Sequence, residues 1–202
     1  IRLKGETAST SFSRKSMKLI TEAIDSALRD EGIRGFVLTG EGHFFSAGAD
    51  INAFQTSLDE GDIVTLIHDL TGLLHPLLMR MRRSSRISIA AINGAAAGGG
   101  LGLALACDAR IAGSAAKLAA SYAGIGLSPD GGTTWLLPRL VGEQIAKRFF
   151  FDNAVWNSQQ ALKFGAVDEI VEDPVTAAIN LARKWSRWSE HTRESTKHLL
   201  DT

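Results

Sequence analysis

Between residues 13 and 29 the apolar side chains Met17, Ile20, Ala23, Ile24, Ala27 and Leu28 recur at steps of three and four. That spacing predicts one face of an amphipathic helix, with Ser13 placed to cap its first turn. Gly32 ends the pattern, and Gly35-Phe-Val-Leu-Thr-Gly40, an apolar run with a breaker at each end, predicts a buried strand. An irregular stretch follows through Asp50. From about residue 62 to Arg83 leucine, isoleucine and methionine return to helical spacing, and the closing Arg80, Arg82 and Arg83 suit a helix C-terminus. Residues 87–92 predict a second buried strand, and residues 94–107 a glycine-rich turn opening a very apolar helix. Further strands are expected at 110–112, 117–121 and 167–171, and helices at 133–137, 143–151, 175–188 and 192–200. Helices alternating with short apolar strands predict a layered α/β fold with a largely parallel sheet.

The chain has 202 residues, 45% of them apolar, enough for one domain with a sizeable core and no staples. Its 22 basic and 22 acidic residues cancel, which provides no general field for nucleic acid or an anionic bilayer. Cys107 is the single cysteine, which excludes an intrachain disulfide and suits a small buried hydrophobe in a reducing compartment. No apolar run reaches the roughly 18 residues that crossing a bilayer requires. The chain opens on Ile1 rather than methionine, as expected of a sequence that starts inside a longer one, with any targeting peptide outside it.

Glycine concentrates in the loops beside predicted strands: 40–50, 94–102, 124–126 and 131–132. Loops at strand ends are where α/β proteins hold ligands, and glycine lets backbone N–H groups approach them. Nucleotide motifs fail here. Gly94 and Gly99 are followed by Gly100 and Leu101 rather than a lysine, and the dinucleotide fingerprint would need glycine at Phe45. No Gly-x-Ser-x-Gly elbow occurs, and no carboxylate-rich spacing accompanies His68 and His75, seven residues apart, so no metal is expected. What remains is two glycine-flanked backbone corners, at Ala49 and Gly99, with Asp130 downstream. A pair of preorganised N–H donors stabilises a developing oxyanion, and a helix N-terminus after Gly98 adds positive potential. That suits enolate chemistry on a carbonyl compound.

The residues resemble the crotonase, or enoyl-CoA hydratase/isomerase, superfamily. Phe45-Ser-Ala-Gly-Ala-Asp-Ile51 is similar to its first oxyanion loop, and the run from Ile89 through Gly98-Gly99-Gly100 to Cys107-Asp108 to its second. Gly126-Leu-Ser-Pro-Asp-Gly-Gly132 and Leu137-Pro-Arg-Leu-Val-Gly142 match the segment that follows. The resemblance implies a spiral of repeated ββα units over residues 1–171, an acyl-CoA-binding core, and the start of a C-terminal helical region over 172–202. It implies that the Ala49 and Gly99 N–H groups hold the thioester oxygen of an acyl-CoA. Ala47, Gly48, Asp50, Ile51, Gly98, Gly100 and Tyr122 are then expected to line the substrate site, with His43 a further candidate. Coenzyme A enters as part of the substrate, with no separate cofactor, and the expected assembly is a homotrimer or hexamer in the cytoplasm or an organelle matrix.

The two water-activating glutamates of family hydratases align with Gly102 and Tyr122, and neither is a carboxylate. Asp130 aligns instead with the proton-transfer base of some family isomerases and the nucleophile of 4-chlorobenzoyl-CoA dehalogenase. Its other reading is a cap for the helix after Gly131, while Asp50 has its own structural reading as a loop or helix cap. A base working α to a thioester needs partial burial, for which Leu127 and Trp135 are the expected apolar neighbours. The implied reaction is an enoyl-CoA isomerase-type double-bond shift in fatty acid metabolism. The alternatives are enoyl-CoA hydratase and a catalytically silent CoA-binding or assembly protein; an RNA-binding role is disfavoured by the neutral overall charge.

Overall fold

The computed structural model describes residues 1–201. One helical turn, α1 (Glu6–Ser9), leads into α2 (Arg14–Arg29), whose N-cap Ser13 accepts a hydrogen bond from the Ser16 N–H. Strand pairs followed by helices then repeat along the chain. The first unit is β1 (Gly35–Thr39), β2 (Phe44–Ser46), α3 (Ile51–Asp59) and α4 (Ile63–Arg83). The second is β3 (Ile87–Ile92), β4 (Ala95–Ala97) and α5 (Gly99–Ala106). The third is β5 (Ala109–Ala112), β6 (Lys117–Ala119), a 3-10 turn at Ala123–Ile125, α6 (Thr133–Val141) and α7 (Glu143–Phe151). After β7 (Val155–Asn157), α8 (Ser158–Phe164) and β8 (Glu169–Ile170), the helices α9 (Pro174–Trp185) and α10 (Glu190–Leu200) complete the described chain. This is the spiral of ββα units.

The largely parallel sheet expected from the pattern is two sheets. First strands of the units join as β1-β3-β5-β8, all parallel; second strands join as β2-β4-β6-β7, with only β6 and β7 antiparallel. Asn93 ties the corner between them: its Oδ1 accepts from the Gly40 N–H at 2.9 Å while its Nδ2 donates to the Gly42 and Phe44 carbonyls at 3.1 Å each. Every residue of β3 and β5 is buried, because α9 covers one face through Ala178 and Ala182 while α2, α4 and α5 cover the other. That double cover is why these strands read as unbroken apolar runs.

Several expectations change. Residues 51–59, where no element is expected, form α3, and Asp50 caps it by accepting from the Asn52 and Ala53 N–H groups at 3.0 and 3.2 Å, a cap typically contributing about 1 kcal/mol. The strand expected at 167–171 shrinks to the two residues of β8, since Asp168 turns its carboxylate onto the Arg110 N–H at 2.6 Å. The strand from Lys117 stops at Ala119, before Ser121 takes a φ of 55°. The helix opening at Thr133 runs past residue 137 to Val141, with Pro138 inside it. Strand β7 and helix α8 were not expected, although Asn157 and Gln160 form a capping box at the start of α8.

Candidate active site

Two corners face each other because β2 and β4 are neighbours in a parallel ladder, so the chain leaves both strands at the same edge of the sheet. After β2 the chain is pinned by the Ala47 N–H donating to the Ala8 carbonyl at 2.8 Å and by the Phe12 N–H donating to the Gly48 carbonyl at 3.1 Å. Gly48 takes a φ of +84°, and a Cβ there would lie 2.6 Å from the Ala97 oxygen, so this corner rests directly on the end of β4. Among the described residues the Ala49 N–H has no acceptor. After β4, Gly98 caps α5, and the Gly99 N–H, ahead of the intrahelical ladder, is likewise without one. The same helix end contributes positive potential.

Asp130 approaches from the third unit. Its Oδ1 accepts the Tyr122 hydroxyl at 3.0 Å, and Tyr122 is itself buried. The cap reading of Asp130 fails: the N-cap of α6 is Gly132, and it is the Asp130 backbone carbonyl that accepts from the Thr133 N–H and hydroxyl, at 3.0 and 2.7 Å. The carboxyl is thereby left to the cavity. Burial pushes its pKa above the ordinary aspartate value, while the Tyr122 hydrogen bond and then the nearby His75 pull the other way. Burial, followed by the Asp130 charge, raises the Tyr122 phenol, which keeps it a donor.

A cavity of about 200 Å³ joins these parts. Ala49, Gly99 and Asp130 line it together. So do Ala47, Gly48, Ile51, Gly98 and Tyr122, whereas Asp50 and Gly100 do not. Asp50 is occupied in capping α3, and Gly100 packs so tightly that a Cβ would lie 2.3 Å from the Ser46 oxygen. His43 also stays outside; its carbonyl accepts from the Ala95 N–H at 2.9 Å and its side chain is exposed. Leu127 shares the cavity with Asp130, but Trp135 does not: it borders a different cavity of about 670 Å³, with the Arg139 guanidinium 3.5 Å from its ring centroid. That larger cavity also borders Cys107, whose thiol is pushed up to about 12 by burial first and Asp108 second, and it contains neither glycine corner. Volume favours it; the arrangement of donors and carboxyl favours the smaller one.

A further neighbour of the site is His75. It lies on α4, 56 residues before Gly131, and its Nε2 accepts the Gly131 N–H at 3.3 Å. No local pattern announces such a contact. Among the described residues no group of three or more His, Cys, Asp or Glu is placed to hold a metal ion, and no helix is long and apolar enough to cross a membrane.

The positions aligned with hydratase glutamates hold no carboxylate, and at Gly102 there is no space for one: a Cβ would lie 2.4 Å from the Gly131 oxygen. Gly102→Ala is therefore expected to lower stability by about 1–3 kcal/mol through overpacking against backbone. Thermal melting measures this; an unchanged melting temperature would show that the Gly131 turn yields freely.

Residues 1–202 match the family model described as enoyl-CoA hydratase/isomerase. The chain is 39% identical over 160 residues to "Probable enoyl-CoA hydratase EchA14" of Mycobacterium tuberculosis, covering 79% of this chain and 60% of that protein. It is 35% identical over 176 residues to the 1,2-epoxyphenylacetyl-CoA isomerase of Escherichia coli, covering 86% and 66%. The chain thus spans 60% and 66% of the lengths of these two relatives. The crystal structure of an enoyl-CoA hydratase from Polaromonas sp. JS666 superposes with a TM-score of 0.88 at 29% identity, covering 99% of this chain and 78% of that one.

Proposed function

Since the chain belongs to the enoyl-CoA hydratase/isomerase family, we propose that it moves a carbon–carbon double bond in an acyl-CoA thioester by way of an enolate. The observation that carries this reading is the shared cavity of Ala49, Gly99 and Asp130, together with the lack of carboxylates at Gly102 and Tyr122. Asp130 takes the proton from C2 of a 3-enoyl thioester, and the C–H electron pair shifts into the thioester, leaving negative charge on its oxygen. The Ala49 and Gly99 N–H groups stabilise that charge. Collapse of the dienolate returns the proton from Asp130 to C4, and the double bond lies between C2 and C3. A pair of N–H donors must stand roughly 4.8 Å apart to hold one oxygen at about 2.9 Å each with a near-tetrahedral angle, a separation of the same order as that between neighbouring strands such as β2 and β4.

Tyr122 holds one oxygen of Asp130 and leaves the other for the proton, and partial burial raises the base toward working pH. Among the described residues Asp130 is the only charged side chain on the cavity wall; Phe12, Phe54, Ile67, Leu70 and Leu74 make much of the remainder. The acyl group is accordingly uncharged. A homotrimer or hexamer, acting in the cytoplasm or an organelle matrix on fatty-acid-type thioesters, completes the reading, with residues 1–171 as the acyl-CoA-binding core.

Hydration of a 2-enoyl thioester is the second reading, favoured by the printed name of the first relative. Incubating the protein separately with 3-enoyl-CoA and 2-enoyl-CoA decides between them. Migration is expected to dominate, and a 3-enoyl thioester ending in a carboxylate is expected to have kcat/KM lower by about 100-fold or more, since that charge would be buried without a partner. Efficient hydration with no migration would transfer the assignment to hydratase.

A further inference from the structure

Asp130 stands at the head of a turn with little regular structure to fix it. Gly131 and Gly132 follow with φ of +57° and +69°, and the Gly131 N–H precedes the ladder of α6, so no helical carbonyl accepts it. Its acceptor comes from α4: the His75 Nε2, at 3.3 Å. Leu74, the preceding residue of α4, packs on the same turn, its Cδ2 lying 3.2 Å from where a Gly131 Cβ would be. His75 itself is exposed and does not line the cavity.

We propose that His75 is a positioning residue for the proton-transfer base: by accepting the Gly131 N–H it fixes the turn whose preceding residue carries the reacting carboxyl. Asp130 is then held by the Tyr122 hydroxyl on its side chain, by the Thr133 N–H and hydroxyl on its own carbonyl, and by His75 on the Gly131 N–H that follows. The bond sets the imidazole tautomer. An Nε2 that accepts has its lone pair free, so the proton of the neutral ring sits on Nδ1. Accuracy matters here because a proton moves only when donor and acceptor meet at hydrogen-bond distance, and a displacement of about 1 Å costs on the order of 100-fold. Removing His75 leaves the Tyr122 and Thr133 bonds in place and loosens the turn without releasing it, so a smaller loss is expected.

This inference rests on Asp130 being the base, and the test separates the two. Turnover of 3-enoyl-CoA is compared in the intact protein and in His75→Leu, His75→Gln and Asp130→Asn, with hydrogen exchange of the Gly131 amide followed in each; His75→Ala replaces the leucine variant should that fold poorly. In His75→Leu, kcat is expected to fall about tenfold with KM within about twofold, and the Gly131 amide to exchange faster. His75→Gln, which offers an acceptor oxygen at a similar reach, recovers both. An unchanged kcat in His75→Leu with a dead Asp130→Asn overturns the role of His75 alone. A rise in KM at constant kcat, or a glutamine variant no better than leucine, also overturns it. Full migration by Asp130→Asn would sink the base assignment, and this inference with it.

Discussion

Asp130→Asn is expected to slow double-bond migration by about 100- to 10,000-fold, the usual scale for removing a general base. The substitution is nearly isosteric, and its side-chain oxygen still accepts the Tyr122 hydroxyl, so thioester binding should persist. The loss therefore belongs in kcat. Stability moves the other way. Burial raises the Asp130 pKa in the folded chain above its unfolded value, so the folded state keeps the proton to higher pH. The favourable contribution is fully present below the unfolded carboxylate pKa and is lost as pH rises through the raised folded one. Asparagine never ionises and escapes that loss. The variant should melt higher than the parent at pH 7 and alike below pH 4, a comparison made by thermal scans at the two values. The parent's own rate should fall on acidification at a pH above the ordinary aspartate range. A rate that persists to the pH of an unperturbed carboxylate would remove the desolvated base from the mechanism.

The second large effect comes from deleting a backbone donor. Ala49→Pro removes the N–H that has no acceptor among the described residues, and a loss of about 100- to 1,000-fold in kcat is expected. Gly99 cannot serve the same purpose cleanly, because a Cβ there would lie 2.7 Å from the Phe12 ring. Since the donor acts most strongly once charge has developed on the oxygen, KM should change far less than kcat. An unaltered melting temperature establishes that the corner has kept its shape. If a well-folded Ala49→Pro protein turned over at the parental rate, the enolate would have to be stabilised elsewhere.

What the amino-acid pattern reveals depends on how local its cause is. Strand β3 and helix α5 are legible because burial on all sides demands apolar residues in succession. The two corners are legible because glycine is needed where backbone meets backbone. Helix α3 is harder: Ile51, Phe54 and Leu58 do follow helical spacing, but they alternate with polar residues and remain partly exposed, so the signal is weak. At Asp130 the local signal misleads. An aspartate ahead of Gly-Gly-Thr-Thr looks the same whether its carboxyl caps a helix or enters a cavity, and only the meeting with Tyr122 decides. The contact of His75 with Gly131 joins the first and third ββα units and leaves no mark in either segment.

The two corners grow from adjacent strands of one ladder and meet backbone to backbone where Gly48 rests on the Ala97 oxygen, a contact that involves no side chain. Helix α3, by contrast, meets the cavity through Ile51 and Phe54, and Ile51 is 54% accessible. Under the proposed function, substitutions at these two positions should alter which acyl chain fits while the backbone donors at Ala49 and Gly99 stay as they are.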